Sequence, residues 1–347
     1  MGAFAHFATK KTQPVHVFAD GRSFGLDYDR ALNTPYAIKR FSGLKPIRRR
    51  LKARALARRV HAMPAPIFAD SWKSIEHLPD TLSVPVIVYA HGNEYPRVDD
   101  NGGYAKQARI TKALKKATTL IAVSHETKSR ATPFLPKGLK VDIIHPPVEP
   151  AHAVSVSDTD YAEGVWPNPN LTRCLVLCRL IDWKGVDMAI RAVASRDDCQ
   201  LVIAGIGDDK DRLNDLVAEH IAHDRIVFAG RVEAGRKSAL FKSADIFLQP
   251  GRKVGDQCEG FGITYVEAAL HGLPSISGDQ GGAPEAVIEG ETAFVVDATK
   301  LENVTEALEK LVTNTDMRSR MSINAKAHAD KLLWPRQIDR ILAVAGI

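Results

Sequence analysis

Cys174-Leu175-Val176-Leu177-Cys178-Arg179-Leu180-Ile181-Asp182-Trp183-Lys184-Gly185 reads as a short apolar strand, then a charged loop, then a glycine at the entry to a helix. The same order recurs downstream. Apolar runs at Leu201–Ala204, Arg225–Ala229, Ile246–Gln249, Pro274–Ser277 and Ala293–Val296 predict strands. Helices are predicted near residues 185–196, 209–221, 235–243, 264–271, 283–288 and 301–313. Short apolar runs alternating with helices are the pattern of a parallel sheet covered on both faces. Such a sheet binds ligands at the carboxyl ends of its strands, so the loops after the strands are where chemistry is sought.

Upstream, Pro146-Pro147-Val148-Glu149-Pro150 interrupts the alternation, and polar sequence continues to about residue 170. A proline-rich break of this kind marks a domain boundary. Before it, strands are predicted at Pro14–Asp20, Pro66–Asp70, Val84–His91, Thr119–Val123 and Val141–Ile144, with a Lys-rich helix near 103–117. The expected organisation is an N-terminal Rossmann-like domain over 1–165, a second over 166–330, and a closing segment over 331–347. The 347 residues suffice for two cores. The net charge of +6 is unevenly spread: residues 1–150 carry 25 Lys and Arg against 12 Asp and Glu, the remainder 22 against 29. The basic half concentrates its charge in a helical stretch, 46–62, whose apolar side is read as Ile47, Leu51, Ala55, Leu56 and Val60. Arg48, Arg49, Arg50 and Lys52 are then expected to form a membrane or acceptor surface, since basic residues near anionic lipid are attracted to it. No aromatic interleaving or binding motif points to nucleic acid. No run of about 18 apolar residues exists to span a bilayer. Four scattered cysteines without paired spacing argue against a disulfide framework or structural zinc, and for a cytoplasmic protein.

Three segments carry candidate chemistry. Glu259-Gly260-Phe261-Gly262-Ile263-Thr264-Tyr265-Val266-Glu267 places glycines between a strand end and a helix start, where backbone N–H groups approach an anion closely. Its two carboxylates, Glu259 in the loop and Glu267 on the helix, either grip hydroxyl-rich parts of a ligand or serve the helix dipole. Arg179 and Lys184 lie in a strand-to-helix loop, where two cations either clamp a diphosphate or decorate a surface. Gly205-Ile206-Gly207-Asp208-Asp209-Lys210 starts like a dinucleotide fingerprint and fails at Lys210, which puts an oxidoreductase last. Asp208 and Asp209 read as helix caps. His91 closes a buried-looking strand in the basic half.

Together these segments resemble the family 4 retaining glycosyltransferases, with the GT-B fold of two Rossmann-like doubly wound domains facing a central cleft. The resemblance rests on Arg179-Leu180 with Lys184-Gly185, Leu201–Gly205 with Gly207, Phe228–Val232, Ala244–Pro250, Glu259–Gly262 with Glu267-Ala268, Gly281–Glu285 and Trp334. It implies metal-independent transfer of a hexose from a nucleotide-diphosphate sugar, the co-substrate in place of any cofactor, to a glycan or lipid-linked acceptor. It further implies that Arg179 and Lys184 hold the donor diphosphate, Glu259 contacts the sugar, and Glu267 the ribose. Backbone at Gly260, Phe261, Gly262 and Ile263 would lie near donor phosphates and sugar, and His91 would face the sugar from the other domain. Ser124 matches a further motif of that domain. Members that build lipid-linked glycans sit on the cytosolic membrane face through a basic N-terminal domain, so a peripheral location is expected. Against this family, Gly2–Lys11 reads as the end of the first helix and Pro14–Ala19 as the second strand, with the first strand and glycine loop missing. The alternative expectations are a truncated or non-catalytic nucleotide-sugar- or membrane-binding protein of the same fold, or a nucleotide-sugar epimerase.

Overall fold

A computed structural model describes residues 2–12, 14–21, 34–96, 103–151, 155–220 and 222–347. It divides into two units, Met1–Pro147 with Trp334–Ile347, and Val148–Leu333.

The first unit contains α1 (Gly2–Thr9), β1 (His16–Asp20), β2 (Ala37–Phe41), α2 (Lys45–Ala62), β3 (Ile67–Ala69), α3 (Trp72–Ile75), β4 (Val86–Ala90), α4 (Gly103–Leu114), β5 (Thr119–Ala122), α5 (His125–Ala131) and β6 (Lys140–Ile143). Strands β3 to β6 form a parallel sheet in chain order. All five residues of β4 are buried, as expected of a central parallel strand. The C-terminal helix Trp334–Ala343 belongs to this unit, with Trp334 stacked on Phe7 and Ile338 and Ile341 buried among Phe4, Ile87 and Ile121.

Two expectations are corrected here. Strand β1 does not extend the β3–β6 sheet among the described residues. It pairs in parallel with β2, a strand the sequence reading missed, to form a separate two-stranded ribbon. Helix α2 packs on that ribbon, and its buried residues are Ala53, Ala57 and Val60. Ile47 and Leu51, read as apolar-face residues, are 56% and 46% exposed. The reason is charge. Arg48 and Lys52 reach Asp20 of β1 at 3.0 and 2.9 Å, and Arg49 approaches Glu76 at 3.8 Å, so these cations point toward protein rather than forming a free surface. Arg50, Arg54 and Arg58 are the exposed arginines of the helix.

The Asp20 clamp is pH-sensitive. Burial works to raise its pKa, but Lys52 and Arg48 outweigh burial and hold the carboxyl below its ordinary 3.8. The clamp therefore contributes at neutral pH and is lost as the pH falls below that range. Asp20→Asn should remove about 0.5–1 kcal/mol at pH 7 and less at pH 3, below the ordinary carboxyl range. Chemical denaturation of both proteins at the two pH values checks this.

The second unit contains α6 (Val156–Gly164), β7 (Thr172–Leu177), α7 (Val186–Ala194), β8 (Cys199–Ala204), α8 (Lys210–Glu219), β9 (Ile226–Gly230), α9 (Ala234–Ser243), β10 (Ile246–Gln249), α10 (Ile263–Leu270), β11 (Ser275–Gly278), β12 (Ala293–Val296), α11 (Leu301–Thr313) and α12 (Thr315–Lys331). Its parallel sheet has the order β12-β11-β10-β7-β8-β9, the doubly wound arrangement in which strands are added outward on one side of β7 and then on the other, starting at β10. On one face of the sheet, Cys174, Val176, Leu201 and Ile203 form a core with Ile190 and Val193 of α7 and Leu308 and Leu311 of α11.

Residues 148–165, expected with the N-terminal domain, belong to this second unit. Helix α6, also missed in sequence, starts with a reciprocal capping box between Ser155 and Asp158 and packs on α9. Arg236 lies 4.5 Å over the Tyr161 ring, and Trp166 Nε1 donates to Ser243 Oγ at 2.9 Å. Val148 N donates to Leu332 O at 2.9 Å, which ties the two ends of this unit together.

Candidate functional site

The switch point between β7 and β10 determines which loops meet. The loop after β7 carries Arg179 through a short 3-10 turn, Asp182–Lys184, to Gly185. The loop after β10 runs through Arg252 and Glu259 to α10. The two are stapled together. Arg252 N donates to Trp183 O at 2.9 Å, and the Arg252 guanidinium makes a bidentate pair with Asp187 of α7 at 2.8 Å on both arms. Neither Arg252 nor Asp187 was singled out in sequence. Their signal there is faint, one cation and one acid 65 residues apart.

At the junction, Lys184 Nζ donates to Glu259 Oε2 in a short ion pair. The side chains are only 13% and 17% exposed. The pair stands above the sheet's carboxyl edge, with Lys184 Nζ also 4.4 Å from the Trp183 ring centroid. A lysine and a glutamate held together with little water form a poised site. An incoming anion can take the ammonium, and a hydroxyl can donate to the freed carboxylate. Arg179 is more exposed and faces Asp208 at 3.8 Å.

The glycines around Glu259 serve the close approach of two loops. An added Cβ on Gly282 would lie 2.1 Å from Gly260 O, and Gly282 N donates to Glu259 O at 2.7 Å. Gly262 caps α10 at φ 94°. The first-turn N–H groups of a helix point outward from its start, so Ile263 and Thr264 present donors at this edge. Phe261 is buried, which leaves its backbone rather than its ring for a ligand. One turn into α10, Glu267 Oε1 accepts from Lys237 Nζ of α9 at 2.6 Å, both side chains a quarter exposed. Lys237 is another residue the sequence reading missed.

Beneath the pair, buried groups are held out of acid–base work. Burial pushes the Cys178 thiol up to about 12, so it is no thiolate at neutral pH. Burial likewise raises Tyr265, whose hydroxyl donates to Gln249 O. Gln249 ends β10 with 1% exposure, and neither atom of its side-chain amide has a partner among the described residues.

The remaining candidates sit as follows. Gly205 and Gly207 owe their place to packing: Cβ atoms there would meet Cys178 O and Leu180 O at 1.8 and 2.0 Å. Asp209 makes no cap bond and instead holds Arg212 in a bidentate pair at 2.6 and 2.7 Å. In the first unit, His91 follows β4 directly, exposed, with its N–H donating to Glu94 Oε1 at 2.6 Å and its ring stacked on Tyr89. Ser124 is the buried N-cap of α5, accepting from Thr127 N at 3.0 Å.

Residues 167–328 match the family described as Glycosyl transferases group 1. The GDP-mannose-dependent alpha-(1-6)-phosphatidylinositol monomannoside mannosyltransferase of Mycolicibacterium smegmatis is 33% identical over 171 residues, 47% of this chain and 45% of that protein. The chain thus spans about half the length of the curated relatives it matches. Among solved structures, HepE of Anabaena in complex with UDP superposes with a TM-score of 0.78 at 17% identity, over 99% of this chain and 94% of that one. A glycosyltransferase from Rickettsia africae gives 0.78 at 16%, over 99% and 92%. These likenesses show the GT-B fold, with two Rossmann-like units.

Proposed function

We propose that this chain, whose residues 167–328 belong to the group 1 glycosyl transferases, is a retaining glycosyltransferase that moves a hexose from a nucleotide-diphosphate sugar to a glycan or lipid-linked hydroxyl. The observation that carries this reading is the Lys184–Glu259 pair at the switch point of the second sheet. Donor binding would exchange that pair for two ligand contacts, Lys184 with the diphosphate and Glu259 with sugar hydroxyls. Arg179, exposed on the same loop, would add a second cation. As the bond from the anomeric carbon to the phosphate oxygen breaks, negative charge grows on the diphosphate. Lysine and arginine stabilise it there without a metal. The acceptor hydroxyl then attacks the anomeric carbon from the same face and passes its proton to the departing diphosphate. Mannosyltransferase relatives make GDP-mannose the first donor to test, with UDP-glucose second.

No described helix is long and apolar enough to cross a membrane. The exposed side of α2, with Ile47 and Leu51 beside Arg50 and Arg54, supports peripheral attachment to an anionic surface.

Glu267 provides the test of the nucleotide position. Glu267→Gln keeps the shape and removes the charge, and should weaken nucleoside diphosphate binding about tenfold, or about 1.4 kcal/mol. Its stability should change by less than about 1 kcal/mol, because the pair with Lys237 is partly solvated. Calorimetric titration with GDP and UDP measures the first quantity, and melting without ligand the second. A chain that binds neither nucleotide while fully folded overturns the donor reading. One that binds but neither transfers nor hydrolyses the sugar is the non-catalytic binder.

A further inference from the structure

Between α2 and the β1–β2 ribbon lies an open cavity of about 420 Å³. Register sets His16 beside Ala37 and Phe18 beside Lys39, so these four share one side of the ribbon. Arg59 Nη2 lies 2.7 Å from His16 Nε2, which shows that this side faces α2. The space exists because the residues opposed across it, Ala37 and Ala55, are small.

The walls combine two chemistries. Phe18 and Ala37 give an apolar floor, while Lys39, Arg58 and Arg59 supply positive charge, and no lining residue is acidic. Lys39 and Arg58 have no carboxylate partner among the described residues. The nearest acid on the ribbon, Asp20, is already committed to Arg48 and Lys52. Arginine only donates, so His16 Nε2 accepts from Arg59 and the imidazole is neutral. Three cations around a concave, partly apolar site concentrate a potential that draws anions. A bare phosphate would leave the apolar floor unused. Leu51, exposed one turn before Ala55, continues that apolar surface out of the cavity along α2.

We propose that this cavity binds the anionic phosphate ester of an amphiphile. Lys39, Arg58 and Arg59 hold the phosphate oxygens, and the first carbons of the attached chain lie against Phe18 and Ala37. The site is independent of sugar transfer, because binding is read directly and needs no donor.

The probe is monomeric dihexanoyl phosphatidic acid titrated calorimetrically into the full chain, with inorganic phosphate and dihexanoyl phosphatidylcholine as comparators. Phosphatidic acid should bind more tightly than either. Lys39→Gln with Arg58→Gln should weaken it by at least about tenfold. Ala55→Leu, which fills the cavity without changing charge, should weaken it as well. Lys112→Gln with Lys115→Gln, the same charge change at exposed positions in the last turn of α4 and just past its end, should leave it unaltered. Circular dichroism confirms that each variant is folded. The proposal is overturned if inorganic phosphate binds as tightly as the lipid, or if both cavity variants retain wild-type affinity. It is equally overturned if the chain binds only vesicles of phosphatidylcholine mixed with phosphatidic acid and not the monomer. That last result would assign the charge to a surface rather than to a cavity.

Discussion

Lys184→Ala should lower sugar transfer by about a hundredfold or more and melt the second unit well below the wild type. The two losses have different origins. For transfer, the variant removes a cation aimed at the charge that grows on the departing diphosphate, and single groups of that kind are worth about 10²–10³ in rate. For stability, it strands Glu259, whose side chain is 17% exposed, without its counter-ion. Breaking a largely buried pair from one side costs about 3 kcal/mol or more. In a unit of this size that is a fall of about 6–12 °C in melting temperature. A double replacement separates the effects. Lys184→Met with Glu259→Met removes both charges while keeping the volume, and should recover most of the stability with none of the activity. If the double variant transfers sugar at a normal rate, the pair is structural and the proposed donor contacts are wrong. Scanning calorimetry and a radiolabelled transfer assay on the three proteins give both numbers.

The second large effect is expected at Gly185, which joins the loop after β7 to α7 at φ 71°. A Cβ there would lie 1.8 Å from Pro250 O, an overlap only a backbone shift can relieve. The shift would fall on the segment whose Arg252 N is bonded to Trp183 O, so the two loops that bring Lys184 and Glu259 together would part. Gly185→Ala should therefore destabilise the unit by at least about 3 kcal/mol and lose nucleotide affinity with it. Gly255 is the internal control. It has φ 55° with nothing within 4 Å of an added Cβ, so Gly255→Ala carries only the left-handed backbone penalty, about 1–2 kcal/mol. Denaturant titration of both variants isolates the steric part as their difference. Equal losses would mean that the approach to Pro250 O relaxes without consequence.

What could be read before folding follows from how each signal is encoded. The six strands of the second unit were legible because a buried parallel strand is a contiguous apolar run with a helix on either side, as in Cys199–Ala204. Helix α6 was not. Val156–Gly164 is polar nearly throughout, with Ala162 its one buried residue, and a capping box and packing on α9 hold it. The face of α2 was misread for a related reason. Periodicity favoured the larger apolar residues Ile47 and Leu51, whereas Asp20 and Glu76 draw Arg48, Lys52 and Arg49 inward, and the helix buries small Ala53 and Ala57 with Val60, Ala53 and Val60 in the core of the β3–β6 sheet.

At the candidate site the same division holds. The residue types and local spacing of Arg179, Lys184, Glu259 and Glu267 were present in the sequence, each in a loop or helix start after an apolar run. Their partners were not, because Lys184 and Glu259 are 75 residues apart and Glu267 meets Lys237 across 30. Local pattern determines the strands, the loops and the candidate side chains, since those depend on neighbours along the chain. Only the strand order, with β7 placed beside β10 at the reversal of the sheet, decides which loops face each other and so which charges pair.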